Sequence, residues 1–421
     1  MDEKFLHHIW KYKLFDCSAL KTATGEPISV LSVGIHNQDA GPDFFNARVK
    51  IGETEWAGCV EIHIKASDWN VHGHNSDKAY DNVILHLVAV NDKDIERSNG
   101  SVIPTAELRY NSHYANNYKM LQESKQWISC EEQFATIDET IRRLWLETLL
   151  VRRLERKSSI VRTYMAQTNN DFDEVFFRML CRNLGFKTNA EPFEQLSRKV
   201  NLRMVRSIGK NVKNLESLLF GAAGFLEEDE SEYQQQLQTE YRHLANRFQI
   251  TSLPPSIWKF ARMRPVSFPT LRIAQLAEML SRKTQFTAFL KEAQELEEVV
   301  RFFEAETGDF WLSHYTFAKA SKPRAKTLGK TAIHNIIINS VFPFLFTMGH
   351  YYGSSELQDK VMRWMEKLPP EKNHIIDNWR STGATVSSAY ESQAYIELYN
   401  EFCTPRNCLN CRLGGYIIKE S

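Results

Sequence analysis

At 421 residues the chain is too long for one ordinary hydrophobic core, so two or three domains are expected. Hydrophobic residues make up 43% and charged residues 25%, the balance of a soluble globular protein. Lysine plus arginine equals aspartate plus glutamate at 52 each, which excludes a bulk basic charge and leaves only a local patch for nucleic acid. The opening Met1-Asp2-Glu3-Lys4 is acidic and lacks an apolar run, so no signal peptide is expected. The most apolar stretch, Ile336 to Met348, is shorter than the ~20 residues that cross a bilayer and contains Pro343, so no membrane association is expected. A cytoplasmic address follows, in which the seven cysteines are reduced and clustered ones are metal ligands before disulfides.

Phe5, Leu6, Ile9, Trp10 and Leu14 recur at helical spacing behind Asp2, predicting a capped helix over 2–14. From about Pro27 the period becomes two. Segments 28–35, 44–51, 56–64 and 83–90 are β-branched or aromatic and bounded by Gly, Asn or Asp, so each reads as a strand. A short helical turn is expected over 76–80, and 102–110 reads as an edge strand because of Pro104. After Asp138 the period becomes 3.6. Helices are predicted over 141–160, 172–184, 215–226, 231–248, 269–281, 284–293, 330–348, 354–367 and 387–403. The fold class is α+β: a mixed-sheet α/β domain over 1–130, a mainly α-helical domain over 131–400 and a cysteine-containing tail over 401–421.

The chemistry concentrates between Gly41 and Lys65. Asp43 stands near the start of one strand and Glu61 in the middle of the next, and the turn Gly52-Glu53-Thr54-Glu55 brings both carboxylates to one sheet surface. Strand alternation puts Glu61, His63 and Lys65 on one face and Val60, Ile62 and Ile64 on the other. Two carboxylates suit Mg²⁺ or Mn²⁺, with His63 or Lys65 beside the attacking water, and Glu3 on the first helix is an additional candidate contact. Five of the 13 histidines, His36, His63, His72, His74 and His86, fall in the same region. The extended His72-Gly73-His74 aims two imidazoles together, so His72 and His74 are candidate metal ligands and a zinc-dependent hydrolase is an alternative reading.

Pro42-Asp43 followed by Glu61-Ile62-His63 resembles the PD-(D/E)xK phosphodiesterase superfamily, which includes restriction enzymes and recombination nucleases. The resemblance implies a core of a helix, three strands, a helix and a further strand. It also implies metal-dependent cleavage of DNA or RNA at Asp43 and Glu61. The sequence departs from that pattern in carrying His63 where the superfamily has lysine, with Lys65 two residues further along the same face. The competing reading is a non-catalytic nucleic-acid-binding or protein-interaction scaffold on the same fold.

Cys403, Cys408 and Cys411 have Cys-x₄-Cys-x₂-Cys spacing and can share one Zn²⁺ or an Fe–S cluster if a fourth ligand is supplied, for which Cys130 is the candidate. That arrangement is similar to nucleases of the same superfamily in which one distant cysteine and three C-terminal ones hold an iron–sulfur cluster. Cys17, Cys59 and Cys181 read as ordinary buried thiols. Arg262, Arg264 and Arg272 cluster around Phe268-Pro269, where a helix N-terminus and three guanidiniums suit phosphate, making them the nucleic-acid-binding candidates. Arg142, Arg143, Arg152, Arg153, Arg156 and Lys157 recur along one long helix and read as its solvated face. Taken nearly end to end, the chain resembles a bacterial family described only as a domain of unknown function, family 2851. The resemblance is carried by Gly41-Pro42-Asp43-Phe44, Gly58-Cys59-Val60-Glu61-Ile62-His63, Ser67-Asp68-Trp69, His72-Gly73-His74, Asn82 to His86, Arg262 to Pro265 and the terminal cysteines.

Overall fold

Asp2 caps the first helix, its carboxylate accepting the Phe5 amide at 3.0 Å, and α1 runs over Glu3–Lys11 with Phe5, Leu6, Ile9 and Trp10 buried. Residues 2–420 are described in this computed structural model. The strands that follow are β1 (Ile28–Ser32), β2 (Ile35–His36), β3 (Phe44–Ile51) and β4 (Thr54–Lys65). Beyond them come the short helix α2 (Asp68–Val71), then β5 (Val83–Val90) and β6 (Thr105–Glu107). They form one mixed sheet in the order β1-β3-β4-β5-β6, with β2 also on β3. The β1/β3, β2/β3 and β3/β4 pairs are antiparallel, whereas β4/β5 and β5/β6 are parallel.

That mixture positions the site. Antiparallel β3 and β4 need only a tight turn, and Gly52 supplies its left-handed residue at φ 56°. Parallel β4 and β5 require a crossover, and this one contains α2 and two single 3₁₀ turns, His74–Ser76 and Lys78–Tyr80. His72 and His74 therefore travel on the crossover that leaves the end of β4. Gly58 on β4 has no room for a side chain, since a Cβ would meet the Asn82 carbonyl oxygen at 2.6 Å and Ile84 Cγ2 at 2.5 Å. The β4/β5 register shifts beside it, between Cys59 and Val60.

The expected strands 44–51 and 83–90 have those limits, and the expected strand 102–110 shortens to three residues. It is followed by an unexpected helix, α3 (Ser112–Glu123), whose polar sequence buries only Tyr118 and Leu121 and so carries little helical periodicity. From Glu139 onward the described chain is mainly helical. α4 covers Glu139–Gln167 and α5 covers Phe172–Leu184. Short helices over Ala190–Lys199, Leu202–Ile208, Leu296–Phe303, His374–Ser381 and Arg412–Lys419 were not legible, because fewer than three turns give little repeat to read. The apolar stretch around Ile336 extends on both sides through a π-helical segment, Ile337–Val341, to a 23-residue helical run over Lys330–Tyr352. By length and composition that run is sufficient to cross a membrane, and 78% of its most apolar window is buried inside the protein.

The contacts divide the chain into two compact units, one of residues to Trp145 together with those from Leu398, the other Leu146–Glu397. The last two dozen residues thus pack with the sheet-bearing unit. Asn117 of α3 donates to the carbonyls of Ile417 and Glu420, and Arg406 donates to those of Gln122 and Ser124.

Candidate metal centre

Phe44 pairs with Val60 across the β3/β4 ladder, so Asp43 stands opposite Glu61. The two acids grip each other's backbone. The Asp43 amide donates to Glu61 Oε2 at 3.0 Å, and the Ile62 amide donates to Asp43 Oδ2 at 2.9 Å. On the parallel side Glu61 pairs with His86 of β5, which brings that imidazole beside His63. His63 Nδ1 lies 2.8 Å from His86 Nε2, and His63 Nε2 lies 3.1 Å from His72 Nδ1. Glu61 Oε1 is 3.3 Å from His74 Nε2 and 3.6 Å from His63 Nε2. Ligand atoms of His63, His72 and His74 all lie within 4.8 Å of one another.

These spacings have a chemical meaning. Donors about 2.0–2.2 Å from a common ion are separated by roughly 3.0–3.5 Å, whether the shell is octahedral or tetrahedral. The three imidazoles lie within 4.8 Å of one another, His63 and His72 near that spacing, and Glu61 approaches it with His74 and His63. His86 completes the arrangement from behind. A proton on His63 Nδ1 directed at His86 Nε2 leaves His63 Nε2 as a bare lone pair, the role outer partners play for metal-bound histidines. The apolar floor is Trp69, whose ring centroid is 5.3 Å from that of His74 and 5.5 Å from that of His86, and Tyr80 stacks on His74 at 3.7 Å.

Electrostatics fix the protonation states. Glu61 is 4% exposed, His63 1% and His86 0%, so the face of β4 that carries Glu61 and His63 is closed to solvent there. Burial pushes His63 down to about 3, with the neighbouring His74 and His72 adding to the effect, and burial likewise holds His86 well below the usual histidine range. Both rings are therefore neutral, the form that binds metal. Burial pushes Glu61 up, opposed by its His74 hydrogen bond and reinforced by the Asp43 charge.

A residue outside the motif completes the site. His7, one turn along α1 from Glu3, places Nε2 3.2 Å from Asp43 Oδ2. Burial pulls its pKa down, but the Asp43 contact and charge outweigh that and the net shift is upward. Glu3 also faces this corner: burial raises its pKa while His72 lowers it and Asp43 raises it. The i, i+4 spacing of Glu3 and His7 was the available signal for the pair. Lys65, in contrast, is exposed and acts electrostatically on Asp92, away from the imidazoles. A cavity of about 760 Å³ opens beside His7, with Lys4, Lys11, His36 and Arg406 among its walls.

The other candidate residues separate. Cys130, Cys403, Cys408 and Cys411 converge. Burial dominates in raising each thiol, Cys130 to about 12 and Cys411 to about 11, and mutual electrostatic influence links all four. Among the described residues no three of these sulfurs come within 4.8 Å of one another. Cys403 closes a π-helical segment, Tyr399–Cys403. Cys59 and Cys181 are buried as expected, but Cys17 is exposed, because the turn it occupies has no apolar surface to cover it. Arg262 and Arg264 are exposed, whereas Arg272 is turned inward over the Phe186 ring and donates to Gln275. Arg272 thus shares no surface with the other two, since Pro269 starts a helix whose first turns are buried.

With this geometry in view, comparison with known proteins gives one match. A family model described as "protein of unknown function (DUF2851)" covers residues 3–374. The chain belongs to this family. No curated protein and no solved structure matches the chain. The family match spans the whole imidazole–carboxylate cluster and Cys130, and it ends before Cys403, Cys408 and Cys411.

Proposed function

We propose that this protein is a metal-dependent hydrolase of nucleic-acid phosphodiester bonds, with a divalent transition metal held by Glu61, His63, His72 and His74. The observation that carries the reading is three imidazoles within 4.8 Å of one another, with Glu61 3.3 Å from His74 and 3.6 Å from His63, beside a second carboxylate, Asp43. The element order α1, sheet strands, β3, β4, α2, β5, with Asp43 before β3 and Glu61 within β4, agrees with the PD-(D/E)xK arrangement. His63 at the lysine position alters the chemistry in a definite direction. A neutral imidazole cannot stabilise phosphoryl charge as an ammonium would, but it is a good ligand. Three imidazoles favour Mn²⁺, Fe²⁺ or Zn²⁺ over Mg²⁺, which prefers oxygen.

When bound, such a metal polarises phosphoryl oxygens and acidifies the attacking water. The chain's own groups do the rest. Asp43 favours the protonated form of His7 and holds it close, so His7 is the group that takes the place of the absent lysine, able when protonated to hydrogen-bond a phosphoryl oxygen or protonate a leaving alkoxide. Lys4, Lys11 and Arg406 line the adjoining cavity, where they suit a phosphate backbone. The test is incubation of the full chain with single- and double-stranded DNA and RNA in Mn²⁺, alongside Glu61→Ala and His7→Gln. Cleavage is expected in the wild type, abolished in Glu61→Ala and slowed by ~10²–10⁴-fold in His7→Gln with Mn²⁺ binding retained. Cleavage that survives Glu61→Ala contradicts the assignment, and absence of both cleavage and metal binding favours a scaffold.

We also infer that Cys130 and the three C-terminal cysteines hold a metal group that ties the tail to the sheet-bearing unit. Sulfurs around one zinc ion sit about 3.8 Å apart, given the Zn–S length of about 2.3 Å. The wider separation here favours the larger iron–sulfur cluster. Anaerobically purified protein is expected to contain iron and to absorb in the visible, both lost in Cys403→Ser. Colourless protein carrying zinc would assign a zinc staple instead.

A further inference from the structure

We propose that a pocket in the helical unit, walled by Arg156, Lys157, Arg182 and Asn339, binds a small phosphate-bearing anion. The proposal is independent of the metal centre, since every residue it uses lies in Leu146–Glu397. The pocket has a volume of about 240 Å³, below the ~300–1,000 Å³ of sites for drug-sized ligands. It has room for a phosphate with a short organic body. Its walls bring together three cationic side chains, the amides of Asn183 and Asn339 and the hydroxyl of Ser159, and no carboxylate.

Glu397 is shared by Arg153 at 3.1 Å and by Arg156, which makes two bonds at 2.5 and 3.2 Å. Glu194 is shared by Arg182 and Arg198. Glu371 accepts from Gln393 and acts electrostatically on Arg153 and Lys157, and Glu191 sits 3.8 Å from Arg182 outside the lining. Lys157 itself bonds to two neutral amides, Asn339 Oδ1 at 2.6 Å and Gln393 Oε1 at 3.2 Å, and makes no ion pair among the described residues. Burial, then the neighbouring Arg153, hold its pKa well below the usual lysine value. Its direct partners are amide oxygens, the Glu371 and Glu397 carboxylates act on it without contact, and an anion in the pocket supplies a contacting counter-charge.

The backbone is also shaped for this purpose. Asn339 lies in the π-helical segment Ile337–Val341, and such insertions into α-helices concentrate at functional sites. The segment turns the Asn339 side chain to Lys157, while its carbonyl accepts from Asn183 Nδ2 at 3.3 Å, so α4, α5 and the π segment are fastened around one opening. Arginine and lysine donors converging from α4 and α5 suit a tetrahedral oxyanion with several acceptor oxygens.

The test is calorimetric titration of the full chain with inorganic phosphate and, separately, with a nucleoside monophosphate, against chloride at equal ionic strength. Saturable one-to-one binding is expected, weakened about tenfold or more in Lys157→Met and unchanged in Lys65→Ala of the other unit. Asn339→Asp guards against a folding defect in Lys157→Met. It places a carboxylate against Lys157, so it is expected to raise the melting temperature of the apo protein while also weakening phosphate binding about tenfold or more. Tighter binding of the monophosphate than of phosphate would identify an ester as the ligand class, and equal binding would identify the free ion. Absence of saturable binding in the wild type, or wild-type affinity in Asn339→Asp, overturns the proposal.

Discussion

His63 and His86 show how burial decides a histidine's role. With both rings sealed, His63 stays neutral to a pKa of about 3, and one of its nitrogens is committed to His86 while the other faces His72 and Glu61. His86→Phe keeps the volume and the apolar packing against Trp69 but removes the orienting nitrogen. Metal affinity is expected to fall by ~10–100-fold with little change in fold, measured by titration with Mn²⁺ and by circular dichroism. An unchanged affinity would mean that His63 is held by packing alone. The sequence made Asp43, Glu61, His63, His72 and His74 visible as a group because acids and imidazoles crowd one short stretch. It hid His7, which comes from a distant helix and meets Asp43 only after folding. It also suggested Lys65 as an alternative to His63. Alternation correctly placed both on one face, but three residues of strand length separate Lys65 from Glu61 and leave it beside Asp92.

At the scale of elements, a buried carboxyl in the helical unit gives a clean handle on stability. Glu216, in the helix Val212–Ala222, is fully buried and accepts hydrogen bonds from the Tyr233 hydroxyl and from Trp311 Nε1 at 2.8 Å. Burial raises its pKa to about 7 against the hydrogen bonds that lower it. The folded pKa lies above the unfolded one, so the native state binds the extra proton between pH 4.5 and about 7. Its contribution is fully present below pH 4.5 and is lost as pH rises through about 7. The slope should amount to on the order of 2–3 kcal/mol and should vanish in Glu216→Gln, measured by urea unfolding across that range. A slope that persists in Glu216→Gln would assign it to another group. Elements with long apolar periods, such as Phe172–Leu184 and Val83–Val90, were readable because each buries a continuous face. The solvated face expected for Arg153 and Lys157 was not, because a 29-residue helix can bury charge where Glu397 and Asn339 meet it.

At the scale of the molecule, the sequence conveyed a sheet followed by helices because the period changes once, near Asp138. The joining of Cys130 to the three terminal cysteines was its one cue that the chain returns. Residues from Leu398 pack with the sheet-bearing unit, where His8 Nδ1 meets the Leu409 carbonyl at 3.1 Å and the cysteine loop helps wall the cavity beside His7. Such pairings join positions about four hundred apart, and no local pattern encodes them. The return gives the C-terminal cysteines a place in the same unit as the candidate metal centre. The function nevertheless depends on whether Glu61, His63, His72 and His74 hold a metal. Titration of the full chain with Mn²⁺, followed by loss of the free-ion electron paramagnetic resonance signal, reports this directly, because Mn²⁺ favours oxygen and imidazole over the cysteine thiolates. One bound Mn²⁺ per chain is predicted in the wild type, retained in Cys403→Ser and lost in His63→Ala and Glu61→Ala. Equal binding in wild type and both site variants, or none in any of them, would contradict it.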